Sequence, residues 1–280
     1  MSLFQPRHKS ALLATAVVFL TAGFMYSAQA QTTQNTRETP GVQKPNSELL
    51  FRTDQSWDGK PYQNYPQGKP QLTIAKITVP ASTGLAWHSN AMPNAYYVLS
   101  GELTVEEKKS GRKVVLKAGD ALPQTMEGLQ RGITAAQPTE VIAFYAGAEG
   151  LPTVEEIRAG STAPGLKKEI LMQGGGSWDG MPYRYPQDQL ETSMVRLTIP
   201  AGMAIPWHWH EVPEIAYIVS GELTVEKTGT TAKKIFKAGE AFAETIGAEN
   251  VHRGSAGQVP LVMIGFFAGK KGVPLLQTAP

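Results

Sequence analysis

Residues 80–106 read PASTGLAWHSNAMPNAYYVLSGELTVE, and residues 200–226 read PAGMAIPWHWHEVPEIAYIVSGELTVE. At a constant offset of 120, 13 of these 27 positions are identical. The match runs outward on both sides. SWDG at 56–59 returns at 177–180, Lys-Ala-Gly at 117–119 returns at 237–239, and FYAGAEGLP at 144–152 returns as FFAGKKGVP at 266–274. A repeat this long is a duplicated domain and not a solenoid unit. The copies span 48–152 and 169–274, joined by a linker over 153–168 and followed by a short tail at 275–280.

Within a copy the texture is that of short strands. LTIAKITV at 72–79 alternates, as do 194–199 and 222–226, and Asp-Gly, Ser-Gly and Pro punctuate the runs. No long stretch keeps helical periodicity, and the spacing predicts at most one short turn of helix over 154–158. Many short strands with regular turn signals predict an all-β sandwich or barrel, twice over.

The ends of the chain read differently. Arg7, His8 and Lys9 precede an apolar run at 11–25, and Ala28-Gln29-Ala30 follows as a small-residue cleavage site. That pattern predicts a signal peptide over 1–30 and an exported protein, periplasmic or secreted, beginning at Gln31. Residues 31–47 are polar, lack aromatics and predict a mobile arm. Two of the 26 Lys and Arg, and none of the 24 Asp and Glu, lie in the first thirty residues, so the exported chain is charge-balanced. Such a balance gives no reason to expect nucleic acid or an acidic membrane surface as partner. The chain has no cysteine, so stability outside the cytoplasm must come from the core alone.

The second copy carries a pattern of chemical interest. His208 and His210 sit one residue apart in an extended run, so they share a face. Glu214 has the same parity, and a turn at Pro213 can bring its carboxylate back toward the imidazoles. His252 is the remaining histidine of that half, after a glycine-led strand at 239–245 and a turn at 246–250. Imidazoles and a carboxylate converging suit Fe, Mn, Ni, Cu or Zn.

Gly202, His208, His210, Glu214 and Gly221 have the spacing of the first cupin motif, and 239–252 resembles a loosened second motif in which Thr245 replaces the usual proline. The resemblance covers both copies, so the chain resembles a bicupin. It is most similar to the quercetin-dioxygenase-like cupins, and His-Trp-His is also similar to oxalate decarboxylases, whose chains are longer. The resemblance implies two tandem jelly-roll β-barrels packed through their sheets. It also implies one divalent transition metal held by His208, His210, Glu214 and His252.

The first copy is an internal control. His208 maps to His88, but His210 maps to Asn90 and Glu214 to Asn94; at constant offset His252 maps to Gly132. Amides replace imidazole poorly toward a transition metal, so metal is expected in the second copy only. His88 is expected to be a pocket imidazole bonded to its neighbours. Trp57 with Trp178 and Trp87 with Trp207 occupy matching positions and read as packing residues, while Trp209 lies on the face opposite the histidines. Glu244, where the first copy has Gln124, reads as a substitute ligand, as a catalytic base beside the metal, or as a surface carboxylate.

The functional expectation is a metal-dependent oxidoreductase, dioxygenase-like, acting on a small molecule. The alternative is a non-catalytic protein that binds a metal or a small ligand. Exposed sheet edges add the expectation of a homodimer.

Overall fold

The computed structural model describes residues 44–153, 155–156 and 163–279. The expected signal peptide, the arm as far as residue 43 and linker residues 154 and 157–162 lie outside the described residues. Every regular element among the described residues is a strand. The first copy supplies β1 (Asn46–Thr53), β2 (Pro70–Val79), β3 (His88–Ser89), β4 (Asn94–Ser100), β5 (Glu102–Glu107), β6 (Lys113–Lys117), β7 (Ala121–Pro123), β8 (Gln130–Thr134), β9 (Thr139–Ala148) and β10 (Glu155–Glu156). The second copy repeats them one for one as β11 (Lys167–Gly174), β12 (Leu190–Ile199), β13 (His208–Trp209), β14 (Glu214–Ser220), β15 (Glu222–Lys227), β16 (Lys233–Lys237), β17 (Ala241–Ala243), β18 (His252–Ala256), β19 (Leu261–Lys270) and β20 (Gln277–Thr278). The helical turn expected over 154–158 gives way to β10, which pairs with β3 as β20 pairs with β13. In both copies a short strand edge beside the first histidine takes up a returning segment.

Each copy builds a jelly-roll barrel from two five-stranded antiparallel sheets. The first barrel joins β11-β2-β9-β4-β7 to β10-β3-β8-β5-β6, and the second joins β1-β12-β19-β14-β17 to β16-β15-β18-β13-β20. The outermost strands are exchanged. β1 pairs with β12 from Asn46↔Thr198 to Thr53↔Thr192, and β11 pairs with β2 from Lys167↔Thr78 to Gly174↔Leu72. The repeat groups residues 48–53 with the first copy, yet in space they complete the sheet of the second. Periodicity shows which segments are equivalent and leaves open which of two equivalent edges each one joins.

The large sheets of the two barrels pack face to face. Along β9, Ile142, Phe144 and Ala146 point toward the other barrel, whereas Val141, Ala143 and Tyr145 point into their own. β9 is therefore buried along almost its whole length, as expected of a strand covered on both faces. Phe144 stacks on Phe266 with ring centroids 5.9 Å apart, and Tyr65 stacks on Tyr185 at 4.4 Å. Each of those tyrosines donates its hydroxyl to a backbone carbonyl of the opposite copy, Tyr65 to Gly269 at 2.8 Å and Tyr185 to Gly147 at 2.7 Å. The first copy thus serves the second as a packing partner related by a pseudo-twofold.

The interiors differ. Met92 and Tyr145 fill the first barrel, where the second has Val212 and Phe267. Met92 lies so close over Gly147 that a methyl group on that glycine would collide with its sulfur. In the second barrel the corresponding space is an open cavity.

Candidate metal centre

The local chain path explains why the second barrel gathers its histidines. β13 lies antiparallel to β18 in a register that sets His208 directly opposite His252. His210 follows two residues after His208, on the same face. The chain bends at 211–212, and β14 opens at Glu214. Across from it, β17 leads into Glu244, whose N–H donates to the Glu214 carbonyl at 2.9 Å. Tyr183 donates its hydroxyl to the carbonyls of Glu214 and Glu244, so one phenol ties both carboxylate-bearing residues.

The side chains of His208, His210 and His252 are buried, and their nitrogens lie within 4.8 Å of one another. Glu214 Oε2 stands 3.3 Å from His210 Nε2, and Glu244 Oε2 stands 3.4 Å from His252 Nε2. All three rings are oriented by main-chain carbonyls. Nδ1 of His208 meets Pro206 O at 2.8 Å, Nδ1 of His210 meets Leu275 O at 2.7 Å, and Nδ1 of His252 meets Asn250 O at 2.9 Å. A carbonyl only accepts, so each Nδ1 carries the proton and each Nε2 presents its lone pair to the common centre.

Electrostatics agree with that assignment. Burial lowers the pKa of His208 and His252 and holds His210 well below the ordinary histidine value, so all three rings are neutral donors at neutral pH. Burial, then the neighbouring Glu244, pushes Glu214 well above the usual carboxylate range. Burial lifts Glu244 from 4.5 to about 7. A dication among these groups would reverse both carboxylate shifts, because the ion is the largest local charge. The buried atoms His252 Nε2 and Glu244 Oε2 make no hydrogen bond. Unpartnered lone pairs aimed at one point are what a cation needs, and the three imidazoles can hold one divalent transition metal.

Gly265 on β19 is part of the same arrangement, and sequence reading missed it. A methyl group there would collide with Glu214 Oε1, so the glycine makes room for the carboxylate. The signal was present as Gly265 against Ala143 in the first copy.

The counterpart of His252 needs correction. In the first barrel His88 pairs with Gln130, as His208 pairs with His252. The equivalent is Gln130 and not Gly132, because the turn before His252 is two residues longer and shifts the offset from 120 to 122. The first copy thus presents His88, Asn90, Asn94, Gln124 and Gln130 where the second presents His208, His210, Glu214, Glu244 and His252. His88 Nδ1 meets Ala86 O at 3.1 Å, so the one retained imidazole keeps its orienting carbonyl. Trp207 lies outside the cavity beneath Arg253, whose guanidinium sits 4.6 Å from the ring centroid. Phe242 is core, stacked on Phe236 at 4.2 Å. Trp209 is half-buried between the two buried histidines of its run.

Residues 195–266 match the family model of the cupin domain. The chain has the bicupin fold, two tandem barrels of which the second carries the matched cupin domain. Comparison with curated protein sequences gives no match. Among solved structures, the bicupin is similar to a Bacillus subtilis oxalate decarboxylase studied for its Mn(II) centres, with a TM-score of 0.54, 12% identity, and coverage of 81% of this chain and 78% of that one. It is similar also to a formate complex of Lactobacillus farciminis oxalate decarboxylase, with a TM-score of 0.51, 12% identity, and coverage of 81% and 88%. At such identity the likeness is one of fold. In this bicupin the metal-binding geometry belongs to the second barrel.

Proposed function

We propose that this bicupin is an exported metal-dependent enzyme, an oxidoreductase of the dioxygenase type acting on a small organic molecule. The observation that carries the reading is the convergence of three oriented imidazoles beside a cavity that His208 and His210 line. His208, His210, His252 and Glu214 would hold the ion, which supplies Lewis acidity and a template for a chelating substrate. Four protein donors would leave an ion that takes six ligands open to exogenous ones. Glu244 Oε2, without a hydrogen-bond partner and facing the centre, is the group able to take a proton from a bound molecule. Export rests on the pattern of residues 1–30.

Two measurements test this. Protein loaded separately with Fe(II), Mn(II), Ni(II), Cu(II) and Zn(II) is assayed for oxygen uptake and for consumption of small organic acids, enediols and phenols. Turnover with a redox-active ion, abolished in Glu244→Gln at unchanged metal content, is expected; ligand uptake without product would instead make the protein a binder. Cell fractionation with N-terminal sequencing should find the chain outside the cytoplasm and starting at Gln31.

A further inference from the structure

The cavity above the metal centre measures about 260 Å³. Apart from His208, His210 and the two glutamates, the side chains of its inner walls are mainly Val195, Leu197, Ile205, Leu223, Met263 and Phe267. Polar side chains besides these enter only at the mouth, where Ser47 and Thr278 are exposed. Among the described residues, no lysine or arginine lines it.

The missing positive charge follows from strand parity and from one ion pair. Three cations stand on the strands that form the wall, each next to a lining residue or opposite a metal-facing histidine; two point away and the third is held in an ion pair. Arg196, between Val195 and Leu197, bonds Glu48 at 2.8 Å and the Gly119 carbonyl at 2.7 Å on the far side of the sheet. Arg253, between His252 and Gly254, bonds Glu226 at 2.9 Å and covers Trp207. Lys227, across from His252 in the ladder, is paired with Asp179 at 2.7 Å. Alternation turns the two arginines out of the barrel, and Lys227, on the inner face with Leu223 and Val225, is neutralised by Asp179.

The charge balance then constrains the ligand. A divalent ion is already matched by the carboxylates of Glu214 and Glu244. A small dianion bound there would bring two negative charges into an apolar cavity where, among the described residues, no uncommitted guanidinium or ammonium meets them. An uncompensated buried charge costs several kcal/mol by order of magnitude. A neutral or singly charged molecule with a hydrocarbon body would instead gain from every methylene laid against the wall.

Resting on the metal-centre reading above, we propose that the second barrel binds a compact, mainly hydrocarbon ligand with one coordinating oxygen group and at most one negative charge, and that it excludes dicarboxylates. In this the cavity differs in chemistry from what its structural neighbours, named as oxalate decarboxylases, act on.

The test uses the full-length protein loaded with Co(II), whose visible absorption reports the centre without turnover. Acetohydroxamic, butanohydroxamic and hexanohydroxamic acids are titrated against oxalate, with metal retention checked after each. Affinity is expected to rise about 10-fold for each two added methylenes until the cavity is full. Oxalate is expected to leave the protein-bound spectrum unchanged. Oxalate binding as tightly as the six-carbon hydroxamate, or an affinity flat along the series, overturns the proposal while leaving the metal centre standing. Failure to take up Co(II) at all overturns both. As a second measurement, Leu197→Arg or Ile205→Arg, whichever folds by circular dichroism, places a cation in the wall. Either is expected to gain at least 10-fold in oxalate affinity, and no gain counts against the charge explanation.

Discussion

The two barrels share one strand plan and one packing surface, and they part company at a handful of interior side chains. His88 is kept as His208. Asn90, Asn94, Gln124 and Gln130 stand where His210, Glu214, Glu244 and His252 stand. The change is from ligating groups to amides of similar bulk. In the first barrel those amides bond inward to the fold itself: Asn90 Nδ2 to Thr125 O at 3.1 Å, Asn94 Nδ2 to Met92 O at 2.9 Å, and Gln130 Nε2 to Gln124 Oε1 at 2.8 Å. The second barrel fixes its side chains from behind, through main-chain carbonyls, and leaves Nε2 and carboxylate oxygens turned to the centre. A jelly roll of this kind tolerates a polar interior of either sort. What separates a structural interior from a chemical one is the donor set: Asn90 and Asn94 leave only amide oxygens unpartnered, whereas the second barrel presents imidazole nitrogens and carboxylates.

The sharpest way to break that contrast is to remove the shared histidine from each side. His208→Ala is expected to abolish metal uptake, whereas His88→Ala keeps about one equivalent per chain, measured by elemental analysis after dialysis. Equal metal content in the two variants would sink the assignment of the centre to the second barrel. Nearly as large is the reverse experiment. Asn90→His, Asn94→Glu and Gln130→His, combined with Ala143→Gly, rebuild the missing donors in the first barrel. The stoichiometry should then rise toward two, with the new site the weaker because Tyr145 and Met92 crowd it.

A smaller effect is expected from Gly265→Ala, which imports the residue of the first barrel at this position. The added methyl must displace the Glu214 carboxylate, so metal affinity should fall about 10- to 100-fold, the range for disturbed support of a ligand. Melting of the metal-free variant should stay close to wild type, since the displaced group is the end of a flexible side chain.

The smallest signal is the pH dependence. Glu244 titrates at about 7 against an ordinary 4.5, and Glu214 is raised as well. In metal-free protein the stability due to these protonated carboxyls is full below pH 4.5 and is lost as the pH climbs through about 7. The neutral histidines act oppositely, contributing above 6.5 and losing that contribution as the pH falls. Metal needs both the ionised carboxyl and the neutral rings. The rise in Tm on saturating metal should therefore grow steadily from about pH 5 to about pH 7.5, and in the His208→Ala variant no such slope should remain.

Much of this was legible beforehand. The duplication, the strand texture and the asymmetry between copies come directly from aligned letters, because strands alternate and turns have their own residues. His208, His210 and Glu214 stood out for the same reason, as substitutions within a conserved frame of identical neighbours. The counterpart of His252 was misplaced because a two-residue insertion hides inside a turn whose sequence is unconstrained. Gly265 escaped notice since a glycine that clears space for another side chain looks like any small residue. The carbonyls of Pro206, Leu275 and Asn250 have no letter at all; every residue carries one, and only the chain path aims it. Strand exchange was invisible because β1 and β11 fit either edge.

That exchange makes the molecule something other than two beads on a string. Cleavage within 157–162 would divide the polypeptide but not the particle, since each fragment would keep a staple eight residues long in the body of the other. Neither half owns a finished edge, and the wall of the cavity itself includes Pro45 and Ser47, which precede the entire first copy's core. Inheritance of the duplicated segment as a pair, never singly, is the natural outcome of such an architecture.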